Sequence, residues 1–186
     1  MTEFSTEPPL GKIMRTLSFA AAKHRDHRRK SVQASPYINH PIALAEILAG
    51  EVGITDPAVI CAALLHDTIE DTETTYDELV SHFGLEVADI VMDVTDEKKG
   101  SIGERNQRQV DHAASTSAKA RLVQLADKIA DLRNMASSPP TSWDIRRTQE
   151  YFDRAAHVVD QIRGTHPALE ALFDAAAKMK PNTQLR

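Results

Sequence analysis

The sequence predicts an all-α protein, an irregular bundle of many short helices. Three observations predict it. Ala, Leu, Glu, Asp, Lys and Arg dominate, while Gly numbers only 7 and aromatic residues make up only 5%, a composition that favours helix over strand. No segment sustains the alternate-residue polarity of a half-buried strand. Apolar residues recur instead at three- and four-residue spacing behind a series of helix-start signals.

Taken in order, residues 1–8 read as a loose tail. A helix is expected from Pro9 to about Arg28, with Leu10, Ile13, Leu17 and Ala21 on one face. Arg28-Arg29-Lys30 and the polar residues up to Ser35-Pro36 form a loop. Asn39-His40-Pro41 opens the second helix, since Asn caps well and Pro suits a first turn. Its apolar face holds Ile42, Ala45, Leu48 and Ala49. Asp56-Pro57 repeats that start signal for a helix reaching about Asp71, apolar on nearly every side from Val59 to Leu65 and therefore central and buried. Thr75 and Glu78 make a capping box for a short helix that Gly84 stops. Helices follow at Leu85 to about Thr95, at 104–114 after a charged loop over 96–103, and at 118–136. Ser137-Ser-Pro-Pro-Thr141 breaks the chain, and helices at 143–163 and 167–179 complete it. Residues 9–180 are expected to form one domain, with 181–186 as a short tail.

At 186 residues the chain can bury a substantial core, and 41% apolar with 26% charged residues marks an ordinary globular protein. The net charge of −5 argues against nucleic acid or an anionic membrane as partner. An anionic small molecule would need a local basic patch. The single cysteine, Cys61, lies in an apolar run and reads as a buried core residue. One cysteine allows no internal disulfide, which fits a reducing compartment. No signal peptide is visible and no apolar run approaches the ~18 residues of a membrane span. A cytoplasmic protein is expected. Its oligomeric state is left open, since Trp143 and the C-terminal helix faces suit core or interface equally.

The chemistry concentrates in His40, the pair His66-Asp67, and Asp127. A histidine and an acid set directly after Ala62-Ala63-Leu64-Leu65 on a buried helix are costly unless ligated or paired. Asp127 sits in a similar apolar setting, Leu125-Ala126-Asp127-Lys128-Ile129. Imidazole nitrogen and carboxylate oxygen without thiolate suit a divalent cation such as Mn²⁺, Fe²⁺ or Mg²⁺. Glu70 and Asp71 each follow a member of the pair by four residues, so both border the same place. The remaining histidines, 24, 27, 82, 112, 157 and 166, read as surface or cap residues. Metal-assisted hydrolysis of a phosphorylated substrate is the expected reaction.

These residues resemble the pattern of the HD-domain metal phosphohydrolases. Pro36-Tyr-Ile-Asn-His-Pro41, Ala63-Leu-Leu-His-Asp-Thr-Ile-Glu-Asp-Thr72, Val94-Thr-Asp96 and Leu125-Ala-Asp-Lys128 narrow the likeness to the hydrolase domain of RelA/SpoT proteins, and within it to the stand-alone small alarmone hydrolases. The resemblance spans about residues 10–175. It implies an HD-domain bundle, one divalent metal (usually Mn²⁺), and removal of the 3′-pyrophosphate of (p)ppGpp to give GDP or GTP. By motif position it implies His40, His66, Asp67 and Asp127 as metal ligands and Glu70 with Asp71 as the catalytic pair. It further implies Arg29, Lys30, Arg147 and Tyr151 as nucleotide contacts, with Lys98 and Arg105 as phosphate contacts. Asp131 stands where relatives commonly place an Asn facing the nucleotide, and Ile102 replaces a Lys of the animal homologue. Those two departures leave adenine alarmones and the 2′-phosphate of NADPH open as substrates. A non-catalytic nucleotide sensor is the alternative class, although such a protein is expected to lose a ligand or the Glu-Asp pair. The bifunctional relatives continue into a synthetase domain, which is not expected within these 186 residues.

Overall fold

A computed structural model describes residues 7–29 and 34–182. The described residues form ten helices and no strand: α1 Pro9–Lys23, α2 Asn39–Glu46, α3 Pro57–Leu65, α4 Thr68–Asp71, α5 Tyr76–Phe83, α6 Leu85–Val94, α7 Ile102–Ala113, α8 Ala118–Ser137, α9 Ile145–Asp160 and α10 Pro167–Ala177. The fold is the irregular all-α bundle expected. No described helix is long and apolar enough to cross a membrane.

The centre is α3. Every residue from Ala58 to Leu65 is buried, and the helix packs against α1, α2, α6 and α8. At about 1.5–3 kcal/mol for each large aliphatic side chain removed from water, this helix alone anchors the core. Its start is fixed by Asp56, whose Oδ1 accepts from the Ala58 N–H at 2.9 Å. Cys61 is fully buried there, burial pushes its thiol pKa up, and the Thr16 hydroxyl donates to Sγ at 3.2 Å. It is a packed core thiol. The second wall is α8, which buries Val123, Leu125, Ala126, Ile129 and Leu132 and lies against α2, α6, α9 and α10.

Four of the boundaries that differ from the sequence reading have a clear physical reason. The first helix ends at Lys23, because the chain turns at His24 and is held by a return loop: Tyr37 N–H donates to His27 O at 3.1 Å and Arg29 N–H to Ser35 O at 2.9 Å. His24 caps α1 as expected but is buried, with its ring 4.8 Å from that of Tyr37. The helix begun at Pro57 breaks at His66-Asp67. Two carbonyls that would continue its ladder are taken by side chains: Ala63 O by His66 Nδ1 at 2.9 Å and Leu65 O by the Thr68 hydroxyl at 2.7 Å. Helix α2 runs into a π turn over Ile47–Glu51, closed by Val52 N–H to Ile47 O at 3.2 Å. Helix α7 starts at Ile102, inside the segment read as loop, because Ser101 and Glu104 form a complete capping box.

Candidate functional site

The break between α3 and α4 directs His66 and Asp67 to one point. There α2 supplies His40 from its first turn, and the middle of α8 supplies Asp127. His40 Nε2 lies 3.2 Å from Asp127 Oδ1, and His66 Nε2 lies 2.9 Å from Asp67 Oδ2 and 3.9 Å from Asp127 Oδ1. The two imidazole rings meet nearly edge-on at 5.1 Å. Potential ligand atoms of His40, His66 and Asp67 all fall within 4.8 Å of one another, as do those of His40, Asp127 and Asp131. His40 and His66 are buried.

One detail shows that this donor set fits a cation. His66 Nδ1 faces the Ala63 carbonyl, which can only accept, so Nδ1 carries a hydrogen and Nε2 is the nitrogen left to take a proton or a cation. That Nε2 is fully buried and lacks a hydrogen-bond partner, since the Asp67 oxygen approaches outside hydrogen-bond geometry. A nitrogen lone pair facing a carboxylate at this distance needs either a proton or a metal between them. The electrostatics agree. Burial works against the His66 imidazolium, but Asp67 and Asp127 overcome it and push the pKa up to about 9. Burial likewise opposes the Asp67 carboxylate, and His66 and His40 override it, holding its pKa well below the usual range. Asp127 is held low against burial by Lys128, whose Nζ is 2.9 Å from Oδ2, and by His40. The site is a divalent-metal-binding cluster of histidine nitrogen and carboxylate oxygen.

A cavity of 290 Å³ opens over the cluster. Of the residues singled out in the sequence, Arg29, His40, Asp67, Glu70, Asp71, Lys98, Arg105, Asp127, Asp131 and Tyr151 all line it. His66 lies beneath it, in a small adjoining space shared with Asp67, Glu70 and Asp127. Arg147 lies in a neighbouring groove, its guanidinium 4.6 Å from the centre of the Trp143 ring. Lys30 lies outside the described residues. Arg29 is already paired, its Nη2 being 3.0 Å from Asp131 Oδ1, while the Tyr151 hydroxyl donates to the other Asp131 oxygen. Lys98 Nζ holds Asp71 at 2.7 Å and stands 3.9 Å from Glu70.

Several lining residues carry no role in the sequence reading, although Tyr37 and Asp96 fall within its quoted motifs. The Tyr37 hydroxyl donates to Asp67 Oδ2; its place three residues before His40 was the available signal. Asp96 accepts from Gln109 Nε2 at 2.6 Å and its pKa is raised by burial. Arg154 follows Tyr151 by three residues and Arg147 by seven, one face of α9.

Glu70 stands apart from the other acids. Burial, reinforced by Asp67, Asp71 and Asp96, raises its pKa to about 7, so it both accepts and releases a proton near neutrality. In metal-free protein the Glu70 carboxyl is expected to titrate near that value by carbon-13 NMR. Adding Mg²⁺ is expected to move the titration lower, because a cation beside Asp67 cancels part of the negative field. A Glu70 midpoint at the ordinary carboxylate value, unmoved by Mg²⁺, would contradict this placement.

The HD domain family model matches residues 16–157. The guanosine-3′,5′-bis(diphosphate) 3′-pyrophosphohydrolase of Xenopus tropicalis is 49% identical over 162 residues, covering 87% of this chain and 90% of its own length. That of Drosophila melanogaster is 43% identical over 166 residues, covering 89% of this chain and 93% of its own length. A solved structure described as a metazoan orthologue of SpoT that hydrolyses ppGpp superposes with a TM-score of 0.87 at 41% identity, covering 96% of this chain and 97% of the other.

Proposed function

This chain belongs to the HD-domain family, closely matching the metazoan SpoT-like (p)ppGpp hydrolases, and from that premise we propose that it removes the 3′-pyrophosphate of (p)ppGpp, giving GDP or GTP. His40, His66, Asp67 and Asp127 are the ligands of one divalent cation, Mn²⁺ by the family resemblance. The observation that carries the reading is the buried His66 Nε2, without a hydrogen-bond partner and 2.9 Å from Asp67, with His40 and Asp127 closing on the same point. When bound, the cation supplies Lewis acidity, acidifying water and offsetting charge on phosphoryl oxygens.

The chain supplies the rest. Glu70 takes the proton of the attacking water as its oxygen bonds to the phosphorus attached to the 3′ oxygen. The bond between that phosphorus and the 3′ oxygen breaks, pyrophosphate departs, and the 3′ oxygen receives a proton, which Glu70 can return. Asp71 fixes Lys98 beside the reacting phosphate. Tyr37 fixes the orientation of Asp67 through its hydroxyl. Lys128, buried and held cationic by Asp127 and Asp131 against the cost of burial, keeps Asp127 ionised.

The deciding measurement is release of pyrophosphate from ppGpp by purified protein with Mn²⁺, alongside ppApp and NADPH. Turnover of ppGpp is expected. No product from ppGpp under conditions where a known hydrolase works would overturn the proposal. One observation favours keeping the other substrates in the comparison: both oxygens of Asp131 are engaged by Arg29 and Tyr151, and a carboxylate offers no amide donor to a guanine. Tight binding of ppGpp without turnover would identify a sensor instead.

A further inference from the structure

Lys98 reaches the candidate site from a segment with little structure of its own. Between the end of α6 at Val94 and the start of α7 at Ile102 the chain runs without helix, and residues 97–100 are exposed. Among the described residues, none makes a backbone-to-backbone hydrogen bond with residues 96–100. The Lys98 side chain is 52% exposed where its Nζ meets Asp71 at 2.7 Å. An ion pair that open to water holds a long, flexible side chain weakly. The ammonium therefore stays beside Asp71 only if the backbone beneath it is fixed by other means.

Side chains of α7 supply those means. Arg108 Nη2 donates to Lys99 O and, at 3.5 Å, to Glu97 O, so its guanidinium holds the residues on either side of Lys98. Such bonds carry the full charge of the donor and are the stronger for it. One turn earlier, Glu104 Oε2 accepts from the Ser101 N–H at 2.7 Å, and Gln109 Nε2 donates to Asp96 Oδ2 at 2.6 Å. Gly100 allows the close approach. Its φ is +87°, and a Cβ there would stand 2.7 Å from Glu104 Oε2, the oxygen that receives Ser101. Arg108 does not line the cavity over the metal cluster. It lines a separate cavity of 640 Å³, and Asp96 and Glu97 line both. The segment thus stands as a wall between the two, with Lys98 facing one side and Arg108 gripping from the other.

We propose that Arg108 is a positioning residue, which clamps the backbone on either side of Lys98 and so keeps that ammonium at the site. This role rests on the hydrolase reading above, in which Lys98 stands beside the reacting phosphate. Arg108 touches neither substrate nor cation and acts through Lys98 alone.

A double-mutant cycle tests it. Arg108→Gln is expected to lower kcat/KM for ppGpp about tenfold with metal content unchanged, since a small misplacement of a binding group is costly. Added to Lys98→Gln, it is expected to cost less than about twofold, because the group it positions is gone. A purely structural role would cost the same in both backgrounds. Arg108→Lys, which keeps a cation and its donors, is expected to recover part of the loss, and Gly100→Ala to reproduce it. Equal losses with and without Lys98, or an Arg108→Gln rate within about twofold of the wild type, overturn the proposal. Trypsin reads the clamp without any reaction. Cleavage after Lys98 or Lys99 requires the segment to come away from α7, so mass spectrometry is expected to find it about fivefold faster or more in Arg108→Gln. If the wild type hydrolyses no nucleotide, the hydrolase reading fails. Faster nicking of the variant then leaves the clamp standing, whereas equal nicking overturns the clamp as well.

Discussion

Asp127→Asn is expected to abolish stoichiometric Mn²⁺ binding and to lower the hydrolysis rate by about 10³, roughly 4 kcal/mol of barrier. Even groups one shell out from a metal are worth about 10–100-fold in affinity, and Asp127 is proposed as a ligand approached by His40 Nε2 at 3.2 Å. The substitution keeps the volume and an acceptor for Lys128, which also feels Asp131 and Asp96, so the protein is expected to fold with a reduced melting temperature. Asp160→Asn, at the end of α9 beside Arg163, serves as a control with ordinary activity. Metal analysis, thermal melting and initial rates together check the claim. A folded variant with full metal content and near-normal rate would remove Asp127 from the centre.

Glu70→Gln is expected to reduce the rate by about 10²–10⁴, the range for loss of a positioned proton acceptor, while leaving Mn²⁺ bound. The two variants thus separate. One loses metal and rate together, the other rate alone. Gln matches Glu in shape and relieves the crowding of negative charge that Asp67, Asp71 and Asp96 impose, so the fold is expected to be as stable or slightly more stable. Retention of more than a tenth of the rate would mean that Glu70 is not the proton acceptor. Loss of metal would mean that it is a ligand.

Much of this was legible in the sequence because polar residues on an apolar helix are conspicuous. His66 and Asp67 follow an unbroken apolar run, and Asp127 interrupts another. Helix starts at Asp56-Pro57 and Thr75 are legible because caps are local chemistry, whereas Asn39 is the first residue of α2 rather than its cap and makes no capping hydrogen bond. Structure set by distant or competing bonds was not legible. The end of α1 depends on a return loop that pairs Arg29 with Ser35 and His27 with Tyr37, and nothing in His24-Arg-Asp-His-Arg-Arg29 forbids further helix. The break before α4 depends on which side chain captures which carbonyl. The commitment of Arg29 to Asp131 joins residues 102 positions apart, so a basic loop that reads as a free substrate arm is in part already engaged. The Ser101–Glu104 capping box is local chemistry as well, but the charge and glycine around it give the segment the composition of a loop.

Asp67, Asp127 and Asp131 are each matched within the protein. Lys128 answers Asp127, Tyr37 and His66 answer Asp67, and Arg29 and Tyr151 answer Asp131. Cohesion of the bundle is thereby uncoupled from occupancy of its cation position: stripping with a chelator should leave a helical, soluble apoprotein that can be refilled with one divalent ion after another, so that ion preference can be compared on a single preparation.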